Sequence, residues 1–524
     1  VFLAFPAAMD AVAETVQQLI EGMRQRSALC SEDSLEELST AFMNSSLSAE
    51  AMEPTEYLKW LRCNVLDREV IIESPMMMGH MTTKLPSYMP DLGKLVTAMN
   101  LNLVKTETAK VTTLLEREAI AVLHKEIFHQ DDAFYARHVQ CRNSSLGVMT
   151  SGGTAANIQA LWMARQRLFP DAESRGLAAP NGRAVVLTSA LAHYSLEKAM
   201  CLLGLGSANL IKVPTLSDFS VDVGAMKDLV KRLENVQVMA IVGLAGATET
   251  GHVDDLDALA DLAASLGAHF HVDAAWGFPL LLSDHGRARM KGAERADTVA
   301  VDGHKLLYTP MGCGTLLMRD PLDPSRVCKS ARYIIREDSF DQGRFTLEGS
   351  RPAMAIYLHM NLRCLGREGL LHRVAHGCAL AQRLAEMLSR DESFELITEP
   401  PQSNIVLYRY IPRSFRHLGS LLEEHCKALD DFQVALQSAQ ALAGRSFVSR
   451  TAVPSRRDGG SFVVCLRAVF GNPSINEEHL EQMLQDQELL ASELEKCLFS
   501  SEIAPTSPGT TRVPDDGAGE ESSD

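Results

Sequence analysis

The sequence predicts an α/β architecture: a mostly parallel sheet covered by helices on both faces, followed by a smaller α+β domain. Three observations lead there. The chain has 524 residues, too many for one ordinary domain and enough for two or three with sizeable cores. Between about residues 140 and 320, short β-branched runs alternate with helical segments, the pattern of a sheet buried on both faces. Beyond about residue 370 the chain is helix-rich with a few strands.

Residues 1–95 form an N-terminal helical segment, in which Val12, Val16, Leu19, Ile20 and Met23 share one helical stripe. That stripe packs either on its own domain or on a second subunit. The large domain spans 96–368, with strand candidates at 185–187, 210–213, 238–242, 269–273, 298–301 and 315–318. Between two of these, Asp254 and Asp255 precede Leu256, Leu259, Leu262 and Leu266, and Gly267 follows: a helix with an acidic cap and a glycine stop. The α+β domain spans 369–500, with strands at 404–410 and 461–469. Residues 501–524 hold Ser, Thr, Pro, Gly and six acids with almost no large apolar side chain, so a disordered acidic tail is expected.

Composition narrows the function. Hydrophobic residues make up 46% and charged residues 22%, ordinary for a soluble globular protein. A net charge of −17 repels nucleic acid and anionic membranes, and no apolar run reaches the length of a membrane span. The opening Val1 to Pro6 is too short for a signal peptide; with no initiating methionine, an upstream targeting segment stays open. Eleven cysteines without a Cys-x-x-Cys pair read as free thiols in a reducing, cytoplasmic compartment. His124 and His129 lie five apart and do not share a helical face, so no metal site is expected.

Four motifs carry the chemistry. Ala296 to Lys305 runs off a strand into Asp302-Gly303-His304-Lys305; a lone lysine there is usually a solvated charge, yet it is also well placed for a cofactor pocket. His271-Val272-Asp273-Ala274-Ala275-Trp276 ends an apolar strand on an aspartate. That residue is either a turn cap or a carboxylate that keeps the ring nitrogen of pyridoxal phosphate protonated. Small neighbours such as Ala275 let a flat ring lie against the strand. Ser151-Gly152-Gly153-Thr154 opens a helical stripe, offering N–H groups and hydroxyls to an anion at the positive end of the dipole, or forming only a capped turn. It lacks the lysine of a nucleotide-binding loop. His193, in His193-Tyr194-Ser195-Leu196-Glu197-Lys198, is by itself a structural histidine and beside the other three a group that could stack on a ring.

In this order the four motifs resemble the group II pyridoxal-phosphate decarboxylases, the family of the glutamate, cysteine sulfinate and aromatic amino acid enzymes. The resemblance runs from about residue 75 to 480 and takes in 246–254 (Gly-Ala-Thr-Glu-Thr-Gly-His-Val-Asp) and Arg467 to Pro473. Asp302 to Lys305 and Thr346 to Pro352 are similar to the bacterial aspartate 1-decarboxylases, relatives of the glutamate enzymes. It implies an aspartate aminotransferase-like fold (fold type I), pyridoxal 5'-phosphate (PLP) as cofactor, and a homodimer with its site at the interface. It further implies that Lys305 is the covalent anchor, that His304 lies near the phosphate and that Asp273 pairs with the ring nitrogen. Ala275 and His193 sandwich the ring, 151–154 binds phosphate, Thr248 lies near the cofactor, and Ser350 reaches the neighbouring subunit's phosphate. Arg467 takes the substrate α-carboxylate and turns the bond to be broken perpendicular to the ring.

The implied activity is decarboxylation of an acidic amino acid, L-aspartate to β-alanine or L-glutamate to γ-aminobutyrate, with cysteine sulfinate also open. Lys84 is the candidate cation for the distal carboxylate, or an exposed lysine. Two departures from the family stand out. Phe340 occupies the register of a loop tyrosine that protonates Cα, which passes that task to another group such as His193 or Tyr333, or else opens an oxidative, aldehyde-forming reaction. Phe278 follows Trp276-Gly277 where relatives carry a second glycine, a change expected to narrow the pocket. The rivals are an aminotransferase, which the motif order disfavours, and an inactive scaffold of the same fold.

Overall fold

The computed structural model describes residues 6–26, 28–31, 33–177, 183–331, 335–336, 338–417, 423–454 and 461–499. The predicted tail at 501–524 lies outside the described residues, as does Tyr333.

Seven strands make the larger sheet: β1 (Gly147–Thr150), β2 (Arg183–Ser189), β3 (Leu210–Val213), β4 (Val236–Leu244), β5 (His269–Asp273), β6 (Thr298–Asp302) and β7 (Gly314–Met318). Their spatial order is β1-β7-β6-β5-β4-β2-β3. β7 runs antiparallel to both β1 and β6, and the remaining pairs are parallel. All six predicted runs became strands, and β1 is an addition, four buried residues too short to stand out. Burial on both faces explains the unbroken apolar runs. Val185, Leu187, Ile241, Phe270 and Val272 face one core with the helices Thr106–Phe128 and Leu256–Leu266, while Val186, Ala240 and Val242 face another with Leu161 and Ala164 of Gly153–Leu168. The period-2 alternation of side chains produces this division. The helix Leu256–Leu266 starts and stops as its sequence dictates: Asp255 accepts from the Ala258 N–H, and Gly267 ends it at φ 63°.

The second sheet is antiparallel, in the order β10 (Ser449–Pro454), β11 (Phe462–Val469), β9 (Ile405–Tyr410), β8 (Phe394–Leu396). One face, with Val406, Tyr408, Leu466 and Ala468, packs on helices that include Gly366–Ser389 and Glu477–Phe499. The other, with Leu407, Cys465 and Val469, packs on Trp276 and Leu306 of the large unit. Arg467, between Leu466 and Ala468, therefore points toward the large sheet.

The ends of β1, β4, β5 and β6 open on one side, because all four strands run in the same direction. In open α/β sheets the crevice beyond the carboxyl ends is where ligands bind. Among the described residues no helix is long and apolar enough to cross a membrane.

Candidate active site

A cavity of about 330 Å³ lies beyond those strand ends, within the usual range for a small-ligand site. Ten of the sequence-predicted residues line it: Ser151, Gly152, Gly153, Thr154, His193, Thr248, Asp273, Ala275, His304 and Lys305. Each sits just past or at a strand end. Ser151 follows β1, Asp273 ends β5, and Lys305 stands three residues beyond Asp302 at the end of β6.

At the floor, Lys305 Nζ is 3.1 Å from Asp302 Oδ2. His304 donates through Nδ1 to the Cys313 carbonyl at 2.9 Å, which leaves Nε2 free to face Asp302 Oδ2 at 3.6 Å. Asp302 is buried, and its Oδ1 has no hydrogen-bond partner. Asp273 is held from two directions: Oδ1 accepts from the Ala275 N–H at 3.1 Å and Oδ2 from Asn157 Nδ2 at 2.8 Å. His193 Nδ1 accepts from the Ser195 hydroxyl at 2.9 Å. Burial pushes its pKa down, and the charge of Lys305 adds to that while Asp273 opposes it.

The 151–154 loop fits an anion. A Cβ on Gly153 would lie 3.0 Å from Asp302 Oδ2 and 3.2 Å from the Ala275 Cβ, and one on Gly152 would lie 3.1 Å from His304 Cε1. Glycines thus keep this side of the cavity open for a ligand to approach the backbone. The helix Gly153–Leu168 begins there and presents unpaired N–H groups. A carboxylate already uses this polarity: Glu348 Oε1 accepts from the Ser151 N–H at 3.1 Å and its hydroxyl at 2.9 Å. An anion-binding loop, a lysine amine, a carboxylate and a histidine around one cavity suit PLP.

Three predicted residues lie outside the lining. Arg467 stands behind it, 7% exposed, with Nη1 donating to Ser449 Oγ at 3.0 Å, while Nε and Nη2 are buried without partners. Burial lowers its pKa to about 10, so it remains a cation at neutral pH. Lys84 donates to Ser474 Oγ at 3.2 Å. Ser350 is exposed and accepts from Asn102 Nδ2 at 3.0 Å. Phe340 packs under the Arg142 guanidinium, 5.1 Å from ring to carbon. Phe278 is buried in the main core and is absent from the lining, so it does not narrow the cavity.

Sequence reasoning missed other groups of the site. Asp302 was visible in its motif, but only the pairing with Lys305 gives it a part. His80, four residues before Lys84, is exposed and outside the lining; partial desolvation, then the charges of Arg467 and Lys305, lower its pKa. Glu249 is half-buried with its Oε2 shielded and unpartnered, and desolvation raises its pKa against the opposing charge of Arg467. Asn157 follows the 151–154 loop and Ser195 lies within the His193 motif, yet nothing in the spacing shows that they meet.

A lysine at the end of a strand, facing an aspartate and a histidine over an anion-binding helix start, defines a pyridoxal-phosphate enzyme of the fold type I class. The model of the pyridoxal-dependent decarboxylase conserved domain matches residues 62–411, and the chain belongs to that family. It is 36% identical to the aspartate 1-decarboxylase of Aliivibrio fischeri over 504 residues, 93% of this chain and 92% of the relative. The L-2,4-diaminobutyrate decarboxylase of Rhizobium meliloti is 31% identical, over 72% of this chain and 74% of its own. The crystal structure of mouse CSAD in apo form superimposes with a TM-score of 0.82 at 25% identity, covering 93% of this chain and 99% of the other. The chain is a PLP-dependent carboxy-lyase acting on an amino acid.

Proposed function

We propose that the substrate is an acidic amino acid, with L-aspartate to β-alanine the first reaction to test and L-glutamate to γ-aminobutyrate the second. The observation that carries this reading is the 36% identity to an aspartate 1-decarboxylase over 93% of this chain. The buried Arg467 guanidinium, with Nε and Nη2 unpartnered, supports it as a cation that a carboxylate can pair with.

Bound here, PLP supplies an electron sink for the pair released as carbon dioxide leaves. The chain's own residues do the rest. Lys305 offers the amine that anchors the cofactor. Asp273 opposes loss of the ring-nitrogen proton, while Ala275 and His193 flank the ring. Ser151 to Thr154 and His304 hold the phosphate, with Thr248 beside the ring. Arg467, whose Nε and Nη2 are unpartnered, is the candidate to pair with the α-carboxylate and orient the bond that breaks. Trp276 and Leu191 line the cavity and exclude water from it. His193 is the candidate for returning a proton to Cα, since Phe340 has none to donate.

We further infer a homodimer. Phe42, Met43, Leu47 and Met52 are each more than half exposed on this chain, which supports a partner surface at the N-terminal segment, and exposed Ser350 is free to serve a neighbouring site. Among the described residues no two cysteines are joined in a disulfide, which supports a reducing, cytoplasmic setting.

The test is product analysis. The purified chain with PLP is given aspartate, glutamate or cysteine sulfinate, and amine, aldehyde and peroxide are measured. Amine from aspartate, lost in Lys305→Ala, supports the reading. Aldehyde with peroxide would replace it with the oxidative reaction, and no turnover of any acidic substrate would overturn it.

A further inference from the structure

Asn157 sits in the second turn of the helix Gly153–Leu168, 1% exposed, and its amide touches three other side chains. Nδ2 donates to Asp273 Oδ2 at 2.8 Å and to Ser195 Oγ at 2.9 Å, while Oδ1 faces His271 Nε2 at 2.9 Å. The orientation of the amide is forced, because its oxygen cannot face a carboxylate. With both Nδ2 protons committed, every other proton in the network has one place left.

Follow the network away from the cavity first. His271 must donate Nε2–H to Asn157 Oδ1. His271 Nδ1 lies 2.9 Å from the Thr298 hydroxyl and 3.2 Å from the Thr298 carbonyl; burial pushes His271 down to about 4, so the ring is neutral, and with its proton on Nε2 the shorter contact is a hydrogen bond from the hydroxyl to Nδ1. That hydroxyl in turn accepts from His269 Nε2 at 2.8 Å. Toward the cavity, Ser195 Oγ accepts from Asn157 and so gives its own proton to His193 Nδ1 at 2.9 Å. The Ser195 backbone N–H points at the same nitrogen from 3.3 Å. His193 therefore carries its proton on Nε2.

We propose that Asn157 is a positioning residue that couples Asp273 to His193. Through one amide it fixes the carboxylate under the ring-nitrogen position and decides which nitrogen of His193 bears the proton. A change at Asp273 reaches His193 through Asn157 and Ser195, with no direct hydrogen bond between the two. Asn157 also lines the cavity; the part proposed for it is to hold the groups on either side. The proposal rests on the reading of Asp273 and His193 as PLP contacts.

The experiment uses the full chain with PLP and reads the dissociation constant of the cofactor and the pH midpoint of its visible band. Asn157→Leu removes the donors at similar volume and is expected to weaken PLP binding roughly tenfold or more, the worth of a hydrogen bond to a charged group, and to move the midpoint. Ser195→Ala interrupts only the branch to His193; it should move the midpoint while leaving PLP affinity within about threefold. Asn157→Asp keeps the shape but sets a carboxylate against Asp273, so it should weaken PLP at least as much as the leucine variant. Wild-type affinity and midpoint in Asn157→Leu overturn the proposal; should that variant not fold, wild-type values in Asn157→Asp do the same. A wild-type chain that forms no band fails differently, removing the PLP reading and the proposal with it.

Discussion

Lys305 Nζ and Asp302 Oδ2 form an ion pair at 3.1 Å, with the carboxylate 3% and the ammonium 19% exposed at the side chain. The lysine thus has two separable functions. One is the covalent attachment of the cofactor that we propose, and the other is neutralising a buried carboxylate whose second oxygen has no partner. Lys305→Ala should abolish the visible cofactor band and the decarboxylation, and it should also lower the melting temperature of the cofactor-free chain, because an unpaired buried charge costs on the order of 2 kcal/mol. Lys305→Arg should restore the melting temperature and nothing else. Equal melting of both variants would mean that the pair contributes no stability.

Arg467 makes a different prediction, since two of its nitrogens are buried and unpaired. A lysine there cannot present two parallel N–H groups to a carboxylate. Arg467→Lys should raise the amino-acid KM roughly tenfold or more with a smaller change in kcat. A fall in kcat at unchanged KM would assign Arg467 to the chemical step and not to holding the carboxylate.

Gly153 tests the anion-binding loop. Its added Cβ would meet Asp302 Oδ2 at 3.0 Å and the Ala275 Cβ at 3.2 Å, whereas a Cβ at Gly349 meets nothing within 4 Å. Gly153→Ala should weaken PLP about tenfold, a cost near 1.4 kcal/mol, and Gly349→Ala should leave it unchanged. Equal PLP affinities, measured by titration, would show that the loop does not approach the cofactor.

Acid should destabilise the chain through three buried histidines. Burial holds His124, His269 and His271 each at about 4 in the folded state, below the ordinary 6.5. Below pH 6.5 the unfolded chain takes up protons that the folded chain refuses. Stability is therefore full above pH 6.5 and falls between pH 6.5 and about 4, by up to roughly tenfold in the folding equilibrium per pH unit per histidine. Denaturant midpoints across that range measure it, and His124→Gln, which keeps a polar contact available to Tyr135, should flatten the slope. An unchanged slope would place the acid sensitivity elsewhere.

The sequence by itself determined the fold class and half of the lining. Six strands were legible because burial on both faces leaves continuous β-branched runs, and the helix after Asp255 because its cap and its glycine stop are local. Ten lining residues were legible because they lie in short motifs next to strand ends, where parallel topology gathers them without further information. The tertiary structure alone decided what depends on distant segments meeting. Asn157 and Asp273 stand 116 residues apart yet share a hydrogen bond. Glu348 reaches Ser151 across 197 residues. Arg467 comes to rest behind the cavity, while Lys84 turns to Ser474. Local patterns record the periodicity and caps of one element; which buried donor finds which acceptor is set by how the elements pack, and no spacing in the chain carries that.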